Sequence, residues 1–200
     1  RNRFPAIRRS RYPLTLGPHA HYWFVLQSPS AATRARKRAK TPTVASIPGF
    51  SELLSGSSRR DLERTILPNY LIGCRWFGAK ARTIRELRIV EDPLVSPHPS
   101  GARHVLVEVN YTEGASEFYT LPLQIARDEN VHRISREAQQ AVIAQFADSN
   151  AILHDATFDP AYRAEIYRII REQRKLQARR GEIVGSATAQ FAAAQDLSAN

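Results

Sequence analysis

The chain has 200 residues, of which 29 are Lys or Arg and 19 are Asp or Glu, so its formal net charge is +10. Residues 1–50 hold ten of the basic side chains and no acidic one, which leaves 29 − 10 = 19 basic against 19 acidic side chains in residues 51–200. Basic proteins favour nucleic acid or an anionic membrane as partner, but here that preference belongs to the first quarter alone. No run approaches the roughly 20 apolar residues of a membrane span, so we predict no membrane partner.

The cysteine content indicates the compartment. The single cysteine, Cys74, excludes an internal disulfide and favours a reducing environment. No secretory signal is recognisable at the start, so we predict a cytoplasmic protein. Because the chain lacks Met and begins with Arg1, we expect it to be a piece of a longer polypeptide.

The first 56 residues divide into two segments. Residues 1–27 end in the aromatic run His21–Leu26, which is typical of a β-strand. No partner strand is visible nearby, so we expect its sheet to lie upstream. Residues 28–56 are predicted to be a basic linker, because five of the seven residues in Arg34–Lys40 are positively charged and repel one another.

A folded domain is predicted over residues 57–126. Ser58 and Asp61 fit a helix-capping pattern, and the helix they begin would bury Leu62 and Ile66 before Pro68 ends it. Three strands are predicted to follow, at Ile84–Val90, His104–Tyr111 and Glu117–Leu123. A turn containing Gly114 makes the last two a hairpin.

Residues 127–200 are predicted to be a mostly helical intermediate segment. One helix is expected over Ser135–Asp148, and a stronger one begins at Asp159-Pro160, an N-cap acid followed by proline. Residues 181–191 have room for one or two short strands. The predicted fold class is therefore α+β, a small antiparallel sheet with one packed helix, followed by this helical segment.

Residue types that carry catalysis or bind metals are scattered along the chain. His154, Asp155 and Asp159 form the one local group that resembles acid/base machinery, although Asp159 is equally explained as a helix cap. Cys74 has cationic neighbours that favour a reactive thiol, but no partner histidine is identifiable. The six histidines show no convincing metal-binding spacing. The sequence contains no glycine-rich phosphate loop, and we predict no catalytic, cofactor-binding or metal-binding residue in this chain.

The segment before the first predicted strand is unusual in carrying two large aromatic residues. Its residues of interest are Arg75, Trp76, Phe77, Gly78 and Lys80. Aromatic side chains in a loop either fill the core of their own domain or anchor a partner surface. Both interpretations, a core loop and a docking loop, remain open at the level of sequence.

Two stretches of the sequence resemble known proteins. The stretch from Pro68 through Cys74–Lys80 to Tyr119–Leu123, with His154–Ala156 and Arg174–Leu176 further on, resembles the N-terminal cap of bacterial maltokinases. Independently, Tyr12–Phe24 is similar to the closing strand of the trehalose synthase β-sandwich. The order of the two matches resembles a bifunctional trehalose synthase–maltokinase.

The resemblance implies a non-catalytic cap within a larger enzyme. The parent would interconvert trehalose and maltose and would phosphorylate maltose to maltose 1-phosphate for α-glucan synthesis. ATP and Mg²⁺ would be its kinase cofactors, with none held by this segment, and the partners of the cap would be the kinase lobes and the trehalose synthase of the same polypeptide. The alternative from a different class is a basic-armed nucleic-acid-binding or interaction module. We regard a nucleic-acid partner as the weaker interpretation, because no aromatic residue interleaves with the basic run.

Overall fold

A computed structural model of the chain describes residues 41–44, 49–95, 101–147 and 149–191. These residues all belong to one unit of the chain, residues 39–200. The strand predicted at residues 21–26 and the basic run at residues 34–40 lie outside the described residues, as do His19, His21 and His98.

Three short helices precede the main strands. They are α1 (Phe50–Leu53), α2 (Gly56–Asp61) and α3 (Leu67–Gly73), and a π-helical turn at Leu62–Ile66 joins the last two. The predicted capping pattern at Ser58 and Asp61 is wrong, because both residues lie inside α2. Ser55, with its extended backbone, occupies the N-cap instead.

The helix does not end at Pro68 as predicted. Pro68 lies in the first turn of α3, which continues to Gly73. Proline removes a backbone donor and clashes with the carbonyl four residues earlier. The π-helical turn at Leu62–Ile66 changes the hydrogen-bond spacing immediately before it, so the chain passes the proline without leaving the helix. The predicted burial of Leu62 and Ile66 is confirmed.

Six strands form one mixed sheet in the order β1-β5-β6-β4-β3-β2. All neighbouring strands are antiparallel except β1 and β5, which are parallel. The strands are β1 (Thr43–Val44), β2 (Ile84–Glu91), β3 (Arg103–Tyr111), β4 (Glu117–Arg127), β5 (Val142–Phe146) and β6 (Ala151–Asp155). The three predicted strands are confirmed as β2, β3 and β4, and the α+β class is confirmed as well.

The helix predicted over residues 135–148 is wrong in most of its length. Helix α4 covers Glu129–Glu137, and after a 3₁₀ turn the chain enters β5. β5 pairs with β6, whose five residues are all buried between neighbouring strands. The sheet therefore continues beyond the predicted boundary at residue 126, and the region after it contains strands as well as helices.

The sheet buries side chains on both faces. Successive residues of a strand point to opposite faces, and Ile125 and Ala126 accordingly belong to different apolar clusters. The larger cluster packs α1, the π-helical turn and α3 against the sheet. On the opposite face, α4 covers Ala126 and Ile152.

The C-terminal part of the described chain consists of a helix and a hairpin. Helix α5 spans Pro160–Arg171 with Asp159 at its N-cap, which confirms the predicted start, and the hairpin is β7 (Lys175–Gln177) with β8 (Glu182–Val184). Gly185 follows β8 in the sequence and lies against the backbone of Ile169. A Cβ at this position would overlap the Ile169 carbonyl oxygen. Within the described ranges, no helix is long and apolar enough to cross a membrane.

Candidate functional site: the Trp76 loop and the Glu117 cluster

Residues 74–80, the Trp76 loop, follow α3 and lead toward β2 through a series of turns. Three of its side chains are buried: Cys74, Phe77 and Ala79. The other four positions face solvent: Arg75, Trp76, Gly78 and Lys80. The loop is thus anchored at three points and presents an indole between two cations.

The two aromatic residues of the loop have different surroundings. Phe77 is 2% exposed and packs in the main core, whereas Trp76 is 48% exposed. Both rings contact Tyr119 of β4, with centroid distances of 5.0 Å for Phe77 and 6.1 Å for Trp76. Aromatic pairs at such distances contribute about 0.5–1.5 kcal/mol beyond area burial. Phe77 therefore fills the core, while docking through Trp76 stays a prediction.

The carboxylate of Glu117 lies beside this loop and accepts three hydrogen bonds. Its Oε2 accepts one from the Tyr111 hydroxyl at 2.8 Å and a second from the Tyr119 hydroxyl, and its Oε1 accepts one from Arg82 Nη1 at 2.8 Å. We call these four residues the Glu117 cluster. Hydrogen bonds from Tyr119 and Tyr111, with the nearby charge of Arg82, lower the pKa of Glu117 below its usual value, so the group is ionised at neutral pH.

Arg82 ties the cluster to the β3–β4 hairpin. Its Nη2 donates to the carbonyl oxygens of Glu113 at 2.9 Å and Ala115 at 2.7 Å, and its guanidinium lies 3.5 Å from the centre of the Tyr111 ring. Three hydrogen bonds and a cation–π contact fix one side chain across three chain segments. Arg82, two residues after the Trp76 loop, therefore holds the turn and the start of β4 to the segment that leads into β2.

The Glu117 cluster was not predicted from the sequence. A signal was available for part of it, since Glu117 and Tyr119 are two residues apart on a predicted strand and so share a face. The β3–β4 register, with Val109 opposite Glu117, brings Tyr111 close as well. No local sequence pattern indicated a role for Arg82, because its hydrogen bonds reach residues more than thirty positions away.

The acid/base candidates occupy structural positions. Asp155 Oδ1 accepts from Thr157 N at 2.9 Å, and Asp159 Oδ1 accepts from Ala161 N at 2.8 Å, so both carboxylates cap helical turns. The capping interpretation of Asp159 is confirmed. His154 is fully buried, with Nδ1 3.1 Å from the carbonyl oxygen of Asp155, and burial lowers its pKa. The imidazole is therefore neutral near pH 7.

Cys74 is a buried thiol that contacts α3. Its Sγ donates to the Tyr70 carbonyl oxygen at 3.3 Å. Burial raises the pKa of Cys74 to about 11, so the thiolate that would react is scarce at neutral pH. The surroundings of Cys74 therefore favour a structural role over a reactive one. Among the described residues, no three His, Cys, Asp or Glu side chains are grouped so as to hold a metal ion.

The architecture defines an α+β domain, a curled mixed sheet with helices on both faces and an anchored aromatic loop at one end. Residues 70–159 match the family model for the maltokinase N-terminal cap domain. This match covers just under half of the chain, from the second half of α3 through β6, and it supports a maltokinase-type cap there. The helices α1, α2 and α5 and strand β1 lie outside the matched residues. No curated protein matches the chain.

Proposed function

We propose that this chain carries the N-terminal cap of a maltokinase and that the cap supports the kinase without supplying catalytic groups. The observation that carries the proposal is the family match over residues 70–159, which spans five of the six strands of the sheet. The cap would pack on the kinase N-lobe and affect its closure or assembly. The parent enzyme would transfer a phosphoryl group from ATP to maltose to give maltose 1-phosphate.

The described side chains support a non-catalytic role. Phosphoryl transfer depends on lysine, carboxylates and Mg²⁺ arranged around the transferred group. Here Asp155 and Asp159 cap turns, and Glu117 is held by three donors. We therefore assign ATP and Mg²⁺ to the kinase part of the parent, and no step of the transfer to these residues.

An assay of the isolated chain tests the non-catalytic assignment. The purified 200-residue chain is incubated with ATP, Mg²⁺ and maltose, and maltose 1-phosphate is followed by mass spectrometry. We expect no product above the rate without protein. ATP-dependent product formation that scales with chain concentration and survives repurification would overturn the assignment.

The fusion to trehalose synthase is a further part of the proposal. It rests on the similarity of residues 12–24 to the closing strand of that enzyme, in the right order before the cap. A cytoplasmic location fits the lone cysteine and is proposed with it. Sequencing the parent gene upstream of Arg1 tests the fusion: a trehalose synthase domain is expected there, and an unrelated domain would refute it.

A further inference from the structure

We propose that the Trp76 loop and the Glu117 cluster together bind a neutral pyranose ring of an oligosaccharide on the outer surface of the cap. The proposal goes beyond the cap function, because the site is built entirely from described residues and needs no kinase lobe. It gives a role to an exposed indole that core packing does not explain.

The aromatic surface has the chemistry that sugar rings require. The Trp76 ring is tilted by 44° to the ring of Tyr119, with the centroids 6.1 Å apart. The indole is half exposed and the Tyr119 ring is partly buried, so apolar ring surface is accessible at this point. The faces of aromatic rings carry partial negative charge and attract polarised C–H groups, which line the apolar face of a pyranose.

Polar groups lie next to these two rings, since Glu117 accepts a hydrogen bond from the Tyr119 hydroxyl. Glu117 accepts three hydrogen bonds, whereas a carboxylate has about four acceptor positions. Arg82 uses three of its five N–H donors on Glu117, Glu113 and Ala115, which leaves two as far as the described residues are concerned. Their side chains are 40% and 30% exposed, respectively. An acceptor and a donor side by side are what neighbouring sugar hydroxyls need.

The charge of the cluster favours a neutral ligand. Glu117 is ionised and neutralises Arg82, so an anionic ligand at this point would meet a carboxylate rather than an unpaired guanidinium. Arg75 and Lys80 are exposed on the same loop and are the groups that an anionic ligand would use. ATP is therefore the competing ligand that the experiment must include.

The site is also preorganised. Phe77 is buried and packs against Tyr119 at 5.0 Å, and Arg82 fixes the hairpin turn. A ligand would not have to order a flexible loop, which removes a common cost of binding. Weak surface contacts can then give measurable affinity.

The chain contains two tryptophans, Trp23 and Trp76. Replacing Trp23 leaves Trp76 as the single source of tryptophan fluorescence, so the emission reports on the proposed site. The full chain with Trp23→Phe is titrated with maltoheptaose, with cellohexaose and with ATP while tryptophan emission is recorded. We expect a saturable change with at least one of the two oligosaccharides and none with ATP. The sugar affinity should not weaken when the salt concentration is raised about tenfold. A saturable response to ATP alone, or no response to either sugar, would overturn the proposal.

Isothermal titration calorimetry on point variants that keep Trp23 tests where the sugar binds. Trp76→Ala should weaken sugar binding at least about tenfold, equivalent to about 1.4 kcal/mol, and circular dichroism would verify that the variant is folded. Phe118→Ala is the matched control, because Phe118 is also exposed but neighbours Tyr119 on β4 and so points to the opposite face. Unchanged affinity in Trp76→Ala, or an equal loss in Phe118→Ala, would contradict the assignment. Neither result would bear on the proposed supporting function of the cap.

Discussion

The Tyr70 hydroxyl donates a hydrogen bond to Asp155 Oδ2 at 3.3 Å and so joins helix α3 to the end of strand β6. The two residues are 85 positions apart and lie near the two ends of the segment that matches the cap family. Asp155 is 3% exposed, and its other oxygen is held by Thr157. The contact therefore closes the matched segment on itself at a buried carboxylate.

Removing this hydroxyl should destabilise the domain. We expect Tyr70→Phe to lower the free energy of unfolding by about 1–2 kcal/mol, because hydrogen bonds to charged groups contribute about 1.5–3 kcal/mol and this one is long. Urea denaturation measures the loss. In an Asp155→Ala background the same substitution should cost less than half as much. Equal losses in both backgrounds would show that the bond to Asp155 is not the cause.

Stability should fall in mild acid because of His154. Burial lowers its pKa below the ordinary 6.5, with Asp155, Asp159 and Arg133 as the nearby charges. The unfolded chain therefore binds a proton that the folded chain rejects, so stability is full above pH 6.5 and declines as the pH falls toward the folded-state pKa.

Urea denaturation between about pH 7.5 and pH 5 tests this dependence. His154→Asn should make the decline shallower, with a residual slope from His104, whose pKa burial also lowers. The matched control is His132→Asn, which changes an exposed histidine on α4. If the exposed variant flattened the profile as much as His154→Asn, burial of His154 would not be the source.

Asp128 has a strained backbone that glycine should relieve. Its φ of 53° and ψ of −125° are unfavourable for a residue with a Cβ, and its side chain makes no capping hydrogen bond to α4. Asp128→Gly should raise the free energy of unfolding by about 0.5–1 kcal/mol, after allowing for the greater freedom of glycine in the unfolded chain. Thermal and urea denaturation measure it, and a destabilised variant would contradict the expectation.

The β3–β4 turn should depend on Arg82 and on Gly114. Gly114 has a φ of 82°, and a Cβ there would lie 2.9 Å from Arg82 Nη2. Gly114→Ala should therefore destabilise the hairpin by about 1 kcal/mol or more through backbone strain.

Arg82→Lys, which cannot bond both carbonyls and Glu117 in one plane, should raise amide exchange in residues 111–117. Unchanged exchange would show that the turn holds without the guanidinium.

Local patterns predicted part of the fold. The alternation of Val105, Val107 and Val109 predicted β3, since one face of that strand packs in the core cluster that also holds the π-helical turn and α3. Asp159 and Pro160 predicted the start of α5, because capping is decided within a few residues. Such signals need no knowledge of the rest of the chain.

Long-range contacts decide the parts of the fold that local patterns did not predict. Ala138, Val142 and Phe146 fit a helical spacing, but pairing with the buried strand β6 makes Val142–Phe146 a strand. Thr43 and Val44, within the predicted linker, form β1 because Pro42 and Val44 accept bonds from Gln145 and Ala147 about a hundred residues away. The Glu117 cluster was missed for the same reason. The aromatic residues of the neighbouring Trp76 loop are visible in the sequence, whereas the position of the Glu117 carboxylate depends on the register of the β3–β4 hairpin.

We propose above all that the cap supports a maltokinase without taking part in the chemistry. The most direct measurement compares steady-state maltose phosphorylation by the intact parent enzyme and by a variant from which residues 41–191 have been removed, with melting temperature and assembly state recorded for both. We predict that the shortened enzyme still forms maltose 1-phosphate, with a changed KM, lower stability or altered assembly. Identical kinetics, stability and assembly would contradict a supporting role, and complete loss of phosphorylation in a folded, ATP-binding variant would contradict a non-catalytic one.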